Sequence, residues 1–347
     1  MIDNFLGLLR CGIWGGEPHI ALLTPEGWER LYATARHQAV TGVMAEAVAA
    51  LPDELLPPDA LLARWAAAAA TVEERNARMS RVLPQLLGEL AQHGAVLMKG
   101  HALAALYPRP GLRECGDIDL WLPDPKHSVK SLTASASLRR QADGSLCFTR
   151  EGVLVELHRE LFDSSNPLAH RSLVAFQRRF GMVRQWIPGA ECEAWVPAPT
   201  LGVLMQTLHI LKHALTRGIG IRQFCDLTLY SHRHRADIDM DALADISRTL
   251  GLTQWHQLLS DFIRAYMQPS SPNPPSSSDP FRLLQLVMER GNFGAARYAA
   301  TDSQPPLRHK FDTATSFFAD GCFPFSVAPK EALWTLWHLC SRQFTAK

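Results

Sequence analysis

Asp117 and Asp119 stand one residue apart in the segment DIDLWL, residues 117–122. Side chains alternate across a strand. In an extended Asp117–Leu122 the two carboxylates therefore share one face, and Ile118 and Leu120 take the other. Neighbouring carboxylates repel each other and are costly to desolvate, and a cation relieves both costs. Hard oxygen ligands at this spacing suit Mg²⁺ or Mn²⁺, with phosphates completing the shell. A third carboxylate is at hand in VLVELH, residues 153–158, which alternates in the same way. Leu154, Glu156 and His158 fall on one face, and Val153, Val155 and Leu157 on the other. If this strand pairs beside the first, Glu156 faces the same cation. The sequence assigns no role to His158.

The elements around these acids can be read locally. Ala95–Met98 is a short apolar run between Gly94 and Gly100 and predicts a buried strand. Lys99-Gly100 makes a turn. His101–Tyr107 predicts a short helix, stopped by Pro108 and Pro110. A strand, a glycine turn entering a helix, and acids on the following strands form the parts list of a metal-dependent phosphoryl or nucleotidyl transfer site.

With KG, an arginine, DID and VELH in this order, the chain resembles the DNA polymerase beta-like nucleotidyltransferase superfamily. More narrowly it resembles a bacterial branch of nucleotidyltransferases of unassigned activity. The core of the resemblance runs over roughly residues 91–165. It implies an α+β fold, with a nucleotidyltransferase-type mixed sheet, flanking helices, and helical regions before and after. It implies that Asp117, Asp119 and Glu156 are the catalytic and metal-binding carboxylates, with Mg²⁺ or Mn²⁺ as cofactor. Lys99, Gly100 and Arg113 become nucleotide-binding residues. The chain departs from the superfamily at the turn, usually Gly-Ser or Gly-Gly, where Lys99 brings charge in place of a hydroxyl. A second segment, HILKH to IRQFCD within residues 209–226, is similar to the helical domain of related abortive-infection nucleotidyltransferases. There the helical domain closes over the nucleotide. That match implies that Lys212 meets phosphate, and that Asp226 orients Lys212 or Arg222 or acts as a base.

Composition narrows the class. The chain has 347 residues and a formal net charge of +1, so no global field draws it to nucleic acid or to an anionic membrane. Its seven cysteines are scattered and form no CxxC pair, which indicates neither a disulfide framework nor a zinc knuckle. The start MIDNFLGLLRCGIW lacks the pattern of a signal peptide, and no apolar run is long enough to span a bilayer. The expectation is a cytoplasmic protein.

Three regions follow from the patterns: helical 1–93, an α/β core 94–198, and helical 199–347 with a flexible loop at 268–280. Thr24 is the N-cap of a helix with Pro25 at its first position. Trp28 and Trp65 read as core. Pro125–Arg139 predicts a helix, Leu146–Thr149 a hairpin strand, and Met182–Ile187 and Ala194–Val196 two further strands. Arg171, Arg178, Arg179 and Arg184 form a local basic cluster that reads as a solvated face. On the predicted helix Thr200–Leu215, Leu201, Leu204, Leu208 and Leu211 form the apolar face, while His209, Lys212, His213 and Thr216 share another. His209 and His213 have zinc-pair spacing, but Ile210 stands where an HExxH hydrolase needs its glutamate. Near the end, Trp334, Trp337 and Leu339 read as core.

The function these readings imply is transfer of a nucleoside monophosphate from an NTP to an unidentified acceptor, with release of pyrophosphate. Small molecule, protein side chain and tRNA end all stand as acceptors. The alternative is a non-catalytic nucleotide-binding or scaffold protein retaining the fold. A metal-dependent phosphohydrolase would call for an HD ligand pair, which the chain lacks.

Overall fold

The computed structural model describes residues 1–129, 132, 138–141, 144–216, 218–269, 278–292 and 323–341. It divides into two compact units, 1–161 with 181–202, and 162–180 with 203–347.

The first unit opens with helices α1 (Ile2–Trp14), α2 (Pro25–His37), α3 (Thr41–Ala49) and the long α4 (Asp59–Glu89). The Thr24 hydroxyl caps α2, accepting from the Gly27 amide at 3.1 Å. Trp28 and Trp65 are both buried, as their helical spacing predicts. The sheet follows: β1 (Val96–Leu97), β2 (Ile118–Trp121), β3 (Arg139–Arg140), β4 (Leu146–Arg150) and β5 (Val153–His158). The four-residue helix α5 (His101–Ala104) lies between β1 and β2, and α6 (Pro125–Ser128) follows β2. Strand order is β1-β2-β5-β4-β3, mixed, with β2 and β5 parallel and the other pairs antiparallel. The fold is α+β.

One face of this sheet is apolar. Ile118, Leu120, Val153, Val155 and Leu157 pack with Met79, Val82, Leu83 and Leu86 of α4 in a single core. Arg150 of β4 fastens the sheet to the same helix through a two-pronged pair with Glu89, at 3.1 and 2.8 Å. β4 and β5 are joined by Glu151-Gly152, both at positive φ, the turn that matches strand twist in a two-residue hairpin. β6 (Met182–Ile187) and β7 (Cys192–Pro197) form a separate antiparallel hairpin that adds Ile187, Ala194 and Val196 to the core.

The helix expected over Pro125–Arg139 is shorter: α6 ends at Ser128, and Arg139 lies in β3 opposite Cys147. Pairing with a neighbouring strand decided Arg139. Most of the intervening residues lie outside the described ones.

The second unit is helical: α7 (His170–Phe180), α8 (Pro199–Leu215, belonging to this unit from Val203), α9 (Ile221–Arg233), α10 (Met240–Leu250) and α11 (Thr253–Phe262). These are followed by α12 (Asp279–Arg290), α13 (Phe323–Val327) and α14 (Pro329–Ser341). Leu204, Leu208 and Leu211 of α8 are buried, as the apolar stripe predicts, and Trp255 donates to the Thr207 carbonyl at 3.1 Å. The arginine cluster is divided between the units. Arg184 pairs with Glu193 in the first, and Arg179 with Asp239 in the second.

Trp337 departs from expectation. It is 62% exposed, and Leu333 beside it on the helix is 59% exposed. The face that α14 buries carries Glu331, Ala332 and Thr335, continuing from Ala328 just ahead of the helix, and a residue two positions beyond Thr335 points well away from it. Trp334 is half-buried, and the Leu339 side chain and most of the 268–280 loop lie outside the described residues.

Candidate active site

The apolar face of β2 and β5 fixes what the other face holds. With Ile118 and Leu120 in the core, Asp119 must lie on the opposite side, and likewise Glu156 and His158 once Val155 and Leu157 are buried. Parallel pairing sets Asp119 directly opposite Glu156, and Trp121 opposite His158. His158 Nε2 lies 2.8 Å from Asp119 Oδ1, to which it donates, and 3.6 Å from Glu156 Oε2. One ligand atom from each of these three residues lies within 4.8 Å of the others. Asp119 is buried, at 5% exposure.

Lys99 reaches the same carboxylate, with Nζ 3.4 Å from Asp119 Oδ1. The turn behind it needs glycine: Gly100 has φ 62°, and a Cβ there would stand 3.3 Å from the Asp117 carbonyl oxygen. The Lys99-Gly100 turn is thus pressed against the backbone that enters the acidic strand. Asp117 itself is half-buried, one residue ahead of β2, and its carboxylate is not among the three that cluster.

That entry segment is held from below. The Asn76 side-chain amide on α4 donates to the carbonyls of Gly111 and Arg113, at 2.7 and 2.8 Å. Glu114 accepts from the Thr41 amide at 2.8 Å. Arg113 is buried, its Nη1 donating toward the Glu114 carbonyl at 3.4 Å and the Cys115 sulfur at 3.3 Å. His101 lies buried beside this group, its Nε2 3.3 Å from the Asn76 carbonyl. Burial pulls the His101 pKa down, but the facing Cys115 sulfur and the Asn76 carbonyl outweigh it, and the net shift is upward.

These side chains fit a divalent cation. Ligands about 2.1 Å from an octahedral cation stand about 3 Å from one another. The His158 contacts, 2.8 and 3.6 Å, bracket that separation. Gln141, which follows β3, donates through Nε2 to Glu156 Oε1 and leaves Oε2 turned toward His158.

In the second unit, Lys212 and His209 on α8 converge on one carboxylate. Asp163 accepts from Lys212 Nζ at 2.6 Å and from His209 Nδ1 at 2.8 Å. His213 stacks edge-on against His209, with ring centroids 4.5 Å apart. Asp226 is buried on α9.

Three participants were not assigned from sequence. His158 carried a legible signal, two residues beyond Glu156 on the same strand face. Gln141 and Asp163 carried none, because each meets its partner through chain pairing that no local pattern encodes.

The residue pattern and this fold are those expected of the nucleotidyltransferase family. The chain belongs to a family described as uncharacterised nucleotidyltransferase, whose model matches residues 24–268. A search of curated proteins gives no significant match. Among solved structures the chain is similar to an antigenic nucleotidyltransferase-like protein from Paracoccidioides brasiliensis. Identity is 16%, with 53% of this chain and 93% of that one covered and a TM-score of 0.32. No helix among the described residues is long and apolar enough to cross a membrane.

Proposed function

We propose that this protein is a metal-dependent nucleotidyltransferase. It moves a nucleoside monophosphate from an NTP to an acceptor hydroxyl and releases pyrophosphate. The observation that carries the reading is the parallel pairing that sets Asp119 opposite Glu156, buried beside Lys99, in a chain of this family. An ordinary solvated acidic strand has no need of a buried aspartate facing a second carboxylate.

Asp119 and Glu156, with Asp117 at the strand entry, would hold the cation, Mg²⁺ or Mn²⁺. When bound, the cation polarises the phosphates and lowers the pKa of an acceptor hydroxyl. Lys99 turns from Asp119 to the incoming triphosphate and offsets its charge. Gly100 lets the backbone approach the phosphates without a side chain in the way. Arg113 adds positive charge from its buried position in the entry segment. Lys212 is a further phosphate contact, held until then by Asp163, and Asp226 is a buried acid that orients the cationic side chains of its unit. The acceptor oxygen forms a bond to the α-phosphorus as the bond to the bridging oxygen breaks. The acceptor proton leaves to solvent or a carboxylate, and pyrophosphate carries away the electron pair.

The acceptor is a small molecule, a protein side chain or an RNA end; near-zero net charge gives no support to the last. The test is pyrophosphate release from a panel of NTPs with Mg²⁺ or Mn²⁺, with candidate acceptors of each class and with Asp119→Asn as control. Nucleotide binding without turnover for any acceptor, with binding unaffected by Asp119→Asn, would favour the non-catalytic alternative.

A further inference from the structure

We propose that His158 is itself a metal ligand, through Nε2. The site is then a mixed nitrogen–oxygen site that takes a first-row divalent cation such as Mn²⁺ in preference to Mg²⁺. The proposal rests on the metal site proposed above and adds to its carboxylates a nitrogen ligand and a preferred cation.

His158 fills the gap between the two carboxylates. Its Nε2 stands between the two carboxylates, 2.8 Å from Asp119 and 3.6 Å from Glu156. A cation bound by both acids needs the same space that the Nε2–H now fills. On loading, His158 either moves away or ligates as the neutral Nδ1–H tautomer, the Nε2 proton passing to Nδ1 or, from an imidazolium, to solvent. Lys99 can re-aim its ammonium within the site: the charge ends a four-carbon stem with several torsions, and its contact to Asp119 is the longer, at 3.4 Å. The imidazole turns about only two torsions, and its backbone is fixed in β5. His158 is paired with Trp121, and its carbonyl accepts from the Leu122 amide at 2.9 Å. The side chain is 17% exposed, so there is little open solvent for it to swing into. Ligation requires almost no motion.

The donor set then decides the cation. Mg²⁺ prefers an all-oxygen octahedron and dehydrates reluctantly. Imidazole nitrogen favours first-row transition ions. Asp119 and Glu156 keep the site hard enough for Mn²⁺, and the Gln141 hydrogen bond holds the Glu156 oxygen toward the shared point.

The experiment uses the full chain with Mn²⁺ as probe, alone and with a nonhydrolysable NTP analogue. Pulsed EPR reads nitrogen coupling to the bound ion, and titration reads Mn²⁺ and Mg²⁺ affinity. The expected result is a ¹⁴N coupling that changes to ¹⁵N when the protein is grown on ¹⁵N-histidine and disappears in His158→Gln. That variant should bind Mn²⁺ at least about tenfold more weakly, with a smaller change for Mg²⁺. The labelled wild type gives its answer without any variant. His158→Asn serves if the glutamine variant loses its cooperative melt. Mn²⁺ bound without nitrogen coupling, or with coupling unaltered in the folded His158 variants, overturns the proposal and leaves nucleotidyl transfer standing. Failure to bind either ion in the presence of nucleotide overturns both.

Discussion

Both units place a histidine and a lysine around one aspartate, and they differ in one added acid. In the first, Asp119 meets His158 and Lys99; in the second, Asp163 meets His209 and Lys212. Asp163 is matched by its two donors and sits at 29% side-chain exposure, with the tight 2.6 Å lysine contact of a closed ion pair. Asp119 is more deeply buried, at 7%, its lysine is looser, and Glu156 faces it from the adjacent strand. The added acid suits the first set to a cation in the function proposed above. The second set, with no second acid in its cluster among the described residues, holds a lysine. A parallel strand pair, which stacks two outward-facing side chains about 4.8 Å apart, is what separates them.

The sharpest break in this comparison is Asp119→Asn. Metal-dependent nucleotide turnover is expected to fall below detection, while apo stability changes little, because relief of the repulsion from Glu156 offsets the weakened contacts to Lys99 and His158. Turnover assays and thermal melts read this directly. A lowered melting temperature with metal affinity and turnover intact in the folded variant would make Asp119 a structural residue. By contrast, Asp163→Asn is expected to leave Mn²⁺ and Mg²⁺ affinity unchanged.

Acid should also separate the units. His256 in the second has its pKa pushed down to about 4 by burial, from an ordinary 6.5. The unfolded chain therefore takes up its proton first. Stability from this group is complete above about pH 6.5 and is lost as pH falls toward 4, by about 3 kcal/mol at most. Glu331 opposes this. Burial raises its pKa against the hydrogen bonds from Ser164 and Ser165, so it adds stability as pH falls through the carboxylate range. Denaturant melts of wild type and His256→Phe between pH 7 and 4 isolate the histidine: the gap between them should narrow or reverse as the pH drops.

Smaller effects follow for the lysine. Lys212→Ala is expected to weaken triphosphate binding by about ten- to a hundredfold, the worth of a charge-assisted hydrogen bond of about 1.5–3 kcal/mol. Ligand-free melting should barely change, since the side chain is one-third exposed. Nucleotide titrations decide it, and unchanged affinity and turnover would leave Lys212 as a partner of Asp163 alone. The mildest change is Gln141→Ala, expected to lower metal affinity by about tenfold through a less fixed Glu156, without loss of fold.

What the sequence determined is what local periodicity can encode. Alternation in DIDLWL and VLVELH put Asp119 and Glu156 on the face opposite the buried Ile118, Leu120, Val155 and Leu157; Asp117, ahead of the strand, stays outside their cluster. The leucine stripe of α8 and the Thr24 cap were legible for the same reason, as were β6 and β7 around Pro188-Gly189: each depends on residues a few positions apart. Tertiary structure decided what depends on distant pairing. Only the register of β2 against β5 turns separate acids into Asp119 facing Glu156, since a one-residue slip would send Glu156 into the core. Gln141 reaches Glu156 only because β3 closes the sheet edge beyond β4, and Asp163 finds Lys212 across 49 residues of chain. Trp337 shows the reverse error. Its type predicts burial, but the face that α14 turns inward is set by the partners packed against it, and those chose alanine and threonine instead.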